Sequence, residues 1–267
     1  MSTPSSELPL TEQVQHRVDE RGISYITLNR PDVKNAISPD QRDRVIAMLA
    51  EASADLGVRA VVLGHTGDAF CTGADLRASR PPAPRPDDAP KRGVGEVAKM
   101  IREGAQQLVS AVLDCEKPVI AAVNGTAAGI GAHIALACDL VVASDGVRFI
   151  EVFVRRGLVP DGGGAYLLPR MVGVRRAKEL LFFGDDLSAA EAAELGLINK
   201  VVPAAELDAA VEAWAERLAV APTRALALTK WLVNQSLESD RATAFQAEAV
   251  AQEMNMATEI GRASCRE

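Results

Sequence analysis

The chain has 267 residues, 48% hydrophobic and 24% charged, enough to bury a sizeable core as one domain or one domain with an appendage, and too apolar to be disordered as a whole. A formal charge of -7 argues against broad nucleic-acid binding, which needs clustered Lys and Arg, but leaves room for a local basic pocket around a phosphorylated ligand. The polar, Pro/Ser-rich start MSTPSSELPLTE has no basic n-region or apolar core, and no later stretch is long and apolar enough to span a bilayer, so a soluble, cytoplasmic protein without a membrane partner is expected. Residues 1–12 read as a flexible N-terminus. The four cysteines, Cys71, Cys115, Cys138 and Cys265, form no CxxC pair, so buried free thiols are expected rather than a zinc site or a disulfide framework.

VQHRV and ISYITL flank DERG and read as two strands of a hairpin turning near Gly22. Ser38 then caps a helix, with Pro39 at its first position and Gln41 three residues after the cap, running to about Leu56. RAVVLG is the next strand. A helix at about 95–114, the strand PVIAAVNG, the helix GAHIALAC, and the strands DLVVAS and VRFIEVF follow, then a Gly-rich turn and further helices. Continuous apolar strands such as VIAAV suit a sheet covered on both faces, which makes the class α/β. SRPPAPRPDDAPK, at 79–91, is too rich in proline for a regular element and reads as a mobile loop near the site. Residues 13–203 form the expected core, and 204–258 a helical appendage whose amphipathic faces pack on the core or on another subunit. The last nine residues, EIGRASCRE, break the pattern and resemble a translated sequencing adapter, so 259–267 is expected to be a non-native tail.

Two glycine-rich bends follow strands. In FCTGADL, Gly73 and Ala74 let a ligand approach the main chain closely, and in NGTAAGIGAHIALACDL a similar bend opens a helix whose dipole favours negative charge. The second lacks the GxGxxG spacing of a dinucleotide site, although Asp145 lies where an acidic ribose ligand would be. Two such backbone donors converging on one oxygen would form an oxyanion hole; close helix–strand packing is the alternative for each bend alone. There is no GxSxG elbow, P-loop or HExxH, and no metal is implied.

RPDVKNAIS, AFCTGADL, KPVIAAVNGTAAGIGAHIALACDL, RRGLVPDGGGAYLLPRMVG and LSAAEAAELGLINKVVP occur in this order and at the expected separations. In this combination, over about residues 14–235, the chain resembles the crotonase superfamily, the enoyl-CoA hydratase/isomerase family. The resemblance implies a spiral of repeated ββα units, a homotrimer or dimer of trimers joined through C-terminal helices, and acyl-CoA thioester ligands, with coenzyme A as part of the substrate and no separate cofactor. It implies that the amides of Ala74 and Ile130 hold the thioester oxygen, although a glycine is usual at the second position and Ile130 constrains the bend. Lys34, Ala36, Gly73, Asp75, Leu76, Gly129 and Phe153 would then contact substrate, and Lys34 and Arg77 sit where the family places the CoA adenosine and phosphates; solvated surface charge is the other reading of these two.

Family hydratases use two glutamates, and the matching positions here hold His133 and Phe153. Hydration needs one group to activate water and another to deliver a proton. His133 remains a candidate acid or base, or a plain polar residue of a first helical turn. Glu151 would face the same side as Phe153 on an extended strand, and reads as an exposed strand glutamate. Asp161, in LVPDGGG, matches an aspartate of family members that shift double bonds or attack aromatic thioesters. In an apolar pocket its carboxyl would have a raised pKa suited to removing a proton acidified by the thioester; capping the next helix is its alternative role. The expected activity is therefore movement of a 3-enoyl double bond to the 2-position through Asp161, with hydration through His133, thioester hydrolysis or ring opening, and non-catalytic acyl-CoA binding as alternatives.

Overall fold

The DERG turn folds the first two strands back on each other as expected. In the computed structural model, which describes residues 5–78 and 94–258, a short helix α1 (Leu10–Gln13) leads into β1 (Val14–Val18), and β1 pairs antiparallel with β2 (Ile23–Leu28). Helix α2 (Pro39–Ala54) carries the anticipated capping box: the Ser38 hydroxyl accepts from the Gln41 amide at 3.3 Å, and the Gln41 side chain accepts from the Ser38 amide at 2.9 Å. There follow β3 (Ala60–His65), then α3 (Glu96–Ile101) and α4 (Gln107–Asp114), joined by a π turn at Arg102–Gln106 into one continuous helical run. The chain continues through β4 (Val119–Val123), β5 (Thr126–Ala128), α5 (Ile130–Ala137), β6 (Leu140–Ser144) and β7 (Arg148–Ile150). Next come α6 (Gly164–Phe183, broken at Gly173), β8 (Asp186–Ser188), α7 (Ala189–Glu194) and β9 (Lys200–Val202). Helices α8 (Leu207–Ala219), α9 (Thr223–Ser236) and α10 (Arg241–Met256) complete it.

The large sheet has the order β1-β2-β3-β4-β6-β9, parallel from β2 onward. Its apolar runs are buried on both sides. Val61, Leu63, Val119, Ala121 and Val123 join the main core with α2, α4 and α5, whereas Ile23, Val62, Ile120 and Val142 face Leu207, Val211 and Ala215 of α8. A second ladder runs alongside it: Ile37 bridges Ala74, Cys71 bridges Ala127 of β5, β5 pairs with β7, and β7 pairs with β8. Each turn of the chain thus lays one strand in the large sheet and one short segment in the inner ladder, which is a spiral of ββα units.

Three expectations change. The strand expected over 147–153 stops at Ile150, because β8 pairs only with Arg148–Ile150; Phe153 is already helical (φ -57, ψ -50) and a 3-10 turn follows at Val154–Arg156. Residues 5–12, expected to be loose, are tied down: Ser5 is buried and its amide donates to Asp32 at 3.1 Å. Asp161 caps no helix, since α6 begins behind Gly163, a left-handed glycine (φ 93). Cys71, Cys115 and Cys138 are buried free thiols as anticipated, and Cys265 lies outside the described residues, as do the proline-rich segment and the last nine residues. Among the described residues no helix is long and apolar enough to cross a membrane.

Candidate active site

The two glycine-rich bends meet because they occupy neighbouring turns of the spiral. The Cys71 amide donates to Thr126 at 3.2 Å, the Ala128 amide donates to Cys71 at 2.9 Å, and the Gly131 position is filled from outside by the Cys71 carbonyl, which a Cβ there would strike. Gly131→Ala is accordingly expected to force the two bends apart, lowering stability by about 1–3 kcal/mol and activity with it, as read by thermal melting and turnover on the same preparation.

Ile37 makes both bonds of its parallel bridge to this segment, donating to Gly73 at 2.9 Å and accepting from Asp75 at 2.9 Å. The N–H of Ala74, between them, therefore points to the opposite side. Ile130 is the first residue of α5, so its amide has no acceptor within the helix. The sharp bend expected at Ile130 falls instead on Gly129 (φ 55, ψ -125), and the isoleucine sits unstrained in the helix. Ala74 thus turns an N–H away from its bridge and Ile130 offers one at a helix N-terminus, a type of donor that suits an anionic or polarised oxygen.

The loop before α2 is held by a side chain the sequence does not flag as functional. Lys34 and Asn35 both have φ near 53°, and Asn35 repays its strain with three hydrogen bonds: it accepts from the Arg30 amide at 2.7 Å and donates to Thr66 and Ala69 at 2.9 and 2.8 Å. Arg30 is buried and pairs with Asp75 at 2.9 Å. Burial alone would push the Asp75 carboxyl up, but Arg30 and the amides of Arg77 and Ala78 overcome it and hold the group below its ordinary value. Both oxygens of Asp75 are thus engaged inside the protein, where they fix the turn around Ala74. Lys34, Leu76 and Arg77 are exposed, Ala36 is half-buried, and Gly73 is buried with φ +109.

On the other side of α5 lies the titratable group of three. His133 is fully buried, and its Nε2 donates to Glu151 Oε2 at 3.0 Å. Glu151 is only 7% exposed, which corrects the reading of it as a solvated strand residue. It and Phe153 do flank the same ring, but across a turn rather than along a strand: Phe153 stacks on His133 with ring centroids 5.3 Å apart and planes 15° from parallel. Burial raises the carboxyl of half-buried Asp161 above its ordinary value, and the charge of protonated His133 opposes this. The only sequence signal for Glu151 was its closeness to Phe153; nothing local tells that a histidine eighteen residues earlier would receive it. Among the described residues no cluster of His, Cys, Asp and Glu is able to hold a metal ion.

Comparison with known proteins identifies the family of the chain. The family model described as enoyl-CoA hydratase/isomerase matches residues 19–265. A Rhodobacter capsulatus protein named probable enoyl-CoA hydratase is 39% identical over 217 residues, covering 81% of this chain and 79% of that protein. The 1,2-epoxyphenylacetyl-CoA isomerase of Escherichia coli is 36% identical over 219 residues, covering 81% and 80%. A crystal structure of an enoyl-CoA hydratase/isomerase from Cupriavidus metallidurans matches with a TM-score of 0.85 and 35% identity, over 96% of this chain and 92% of that one. With its spiral, its paired bends and these relatives, the chain belongs to the enoyl-CoA hydratase/isomerase family and has the crotonase fold.

Proposed function

We propose that this acyl-CoA enzyme is an isomerase that moves a double bond from the 3- to the 2-position of an enoyl-CoA thioester. The amides of Ala74 and Ile130 hold the thioester oxygen as it gains enolate charge. Asp161 takes a proton from C2, the electron pair moves into the dienolate, and the same carboxyl returns a proton at C4 as the double bond forms between C2 and C3. One positioned carboxyl suffices for both transfers. Exposed Lys34 and Arg77 would face the phosphates of coenzyme A, which enters and leaves as part of the substrate, and no separate cofactor is needed.

The observation that carries this reading is the contrast between the two acid–base candidates. Asp161 is half-buried, caps nothing, and has a carboxyl that burial raises above its ordinary value, the direction that suits a base which also works as the returning acid. His133, the candidate for hydration, has Nε2 committed to Glu151 and no exposed atom with which to meet a water. The test is a panel of 3-enoyl-, 2-enoyl- and dienoyl-CoA substrates assayed with the wild type and Asp161→Asn. Migration lost in the variant supports the reading, hydration of a 2-enoyl-CoA as the main activity overturns it, and no turnover with any thioester makes the protein a binder. Assembly as a homotrimer or dimer of trimers belongs to the same proposal, supported by exposed Trp231, Phe245, Val250 and Met254 on α9 and α10 and tested by light scattering.

A further inference from the structure

Residues 158–163, which carry Asp161, form neither strand nor helix, so packing must fix where the carboxyl stands. Three glycines follow Asp161, and they are needed for two different reasons. Gly163 is left-handed (φ 93), a conformation that favours glycine. Gly162 and Gly164 lie outside that region, and at both the reason is space. A Cβ on Gly164 would collide with the His133 ring; one on Gly162 would collide with Cδ1 of Ile130, 3.5 Å from its Cγ1 and 3.1 Å from His133 Nδ1. Ile130 and His133 are three residues apart on α5 and so share one face of that helix. The two glycines are hollows that receive this face, and Val109 of α4 closes the third side, 3.3 Å from where a Cβ of Gly163 would be. Helix α5 cannot retreat. The Gly129 amide before it donates to Ile150 at 2.9 Å, and the Cys71 carbonyl fills the space beside Gly131. A change in the bulk of buried Ile130 is therefore taken up by the turn.

We propose that the side chain of Ile130 positions the catalytic base: its Cδ1, seated in the hollow left by Gly162, sets where Asp161 stands relative to the thioester oxygen held by the Ile130 amide. This rests on the reading of Asp161 as the base and of that amide as a donor. One residue then serves both ends of the reaction, its main chain holding the oxygen on C1 and its methyl propping the turn that carries the carboxyl. The demand on that turn is strict, because one carboxyl must reach C2 to remove a proton and C4 to return it. An isoleucine at the head of α5 and a glycine after Asp161 are thus a matched pair, and each is expected to be tolerated only with the other.

The test moves one methyl across this contact. Gly162→Ala alone drives the turn off Ile130, and kcat for a 3-enoyl-CoA, counted per acyl-CoA-binding site, is expected to fall about thirtyfold or more, since small misplacements of a reacting group are costly. Ile130→Val alone removes Cδ1, loosens the turn and should lower kcat about three- to tenfold. The double variant Ile130→Val/Gly162→Ala conserves volume and should return kcat to within about threefold of wild type, where two independent losses would multiply. Affinity for a saturated acyl-CoA, which needs the donor amide but not the base, should stay within about twofold throughout. Losses that multiply in the double variant, or single variants with wild-type kcat per site, overturn the proposal, as does affinity that falls in step with kcat. If Gly162→Ala fails to fold, the other two variants decide: a double variant slower than Ile130→Val overturns the proposal, and one as fast or faster supports it. Full turnover by Asp161→Asn would instead remove the base assignment itself.

Discussion

Asp161→Asn is expected to lower kcat for double-bond migration by about a hundredfold or more, the loss of roughly 3 kcal/mol of transition-state stabilisation that a positioned general base supplies. Asparagine keeps the size and shape of the side chain, and the Ala74 and Ile130 amides are untouched, so affinity for a saturated acyl-CoA should stay within about twofold. The pH dependence of stability gives an independent signature. Burial favours the neutral carboxyl and raises its folded pKa, so Asp161 supports folding below the unfolded value and that support is lost as pH rises through the folded one. The amide variant should therefore melt at or above the wild-type temperature near pH 7, with its advantage gone below about pH 4. Parallel melts and single-turnover rates on one preparation check both. A variant that turns over normally, or one inactive because it has lost stability at neutral pH, would contradict the argument.

Lys230→Met should be the most destabilising single change at a polar site, costing about 3 kcal/mol. The ammonium of Lys230, on α9, donates to Asp139 at 2.8 Å and to the carbonyls of Val112 and Lys117 at 2.9 and 3.4 Å. It thereby ties α9 to the end of α4 and to the start of β4 and β6, at the wall of a cavity of about 790 Å³ lined also by Leu136, Leu228 and Trp231. Methionine keeps the length and apolar stem but leaves Asp139, whose second bond is to the Val119 amide at 2.7 Å, without its cation. Burial already raises the Asp139 carboxyl above its ordinary value despite Lys230, and the variant would raise it further. The penalty is therefore complete above both folded pKa values and shrinks as pH falls through the carboxylate range, where a neutral Asp139 has no charge to compensate. Denaturant unfolding at about pH 8 and pH 4 should show the difference between variant and wild type narrowing; an equal difference at both would assign the loss to packing alone.

Much of this architecture was readable in the chain because local physics agreed with the final fold. Ser38, Pro39 and Gln41 specify a helix start wherever they are placed, and VIAAV has no polar residue to turn toward water, so a strand buried on both faces was the reading left. Asp161 was legible as a carboxyl in apolar company, and its raised pKa direction follows from burial. What the sequence left open is of a different kind. Glu151 looked like a solvated strand residue, because nothing in VRFIEVF tells that the ladder ends at Ile150, where β8 runs out of partners, or that the following turn carries Glu151 to His133. That the bends at Gly73 and Gly129 lie together also depended on the spiral, which sets Cys71 against Ala127 and Ala69 against Gly125 in adjacent turns. Periodicity, caps and burial are properties of a few consecutive residues and can be read from them. A pair such as His133 and Glu151 is set by the register between turns of the spiral, and only the tertiary structure decides it.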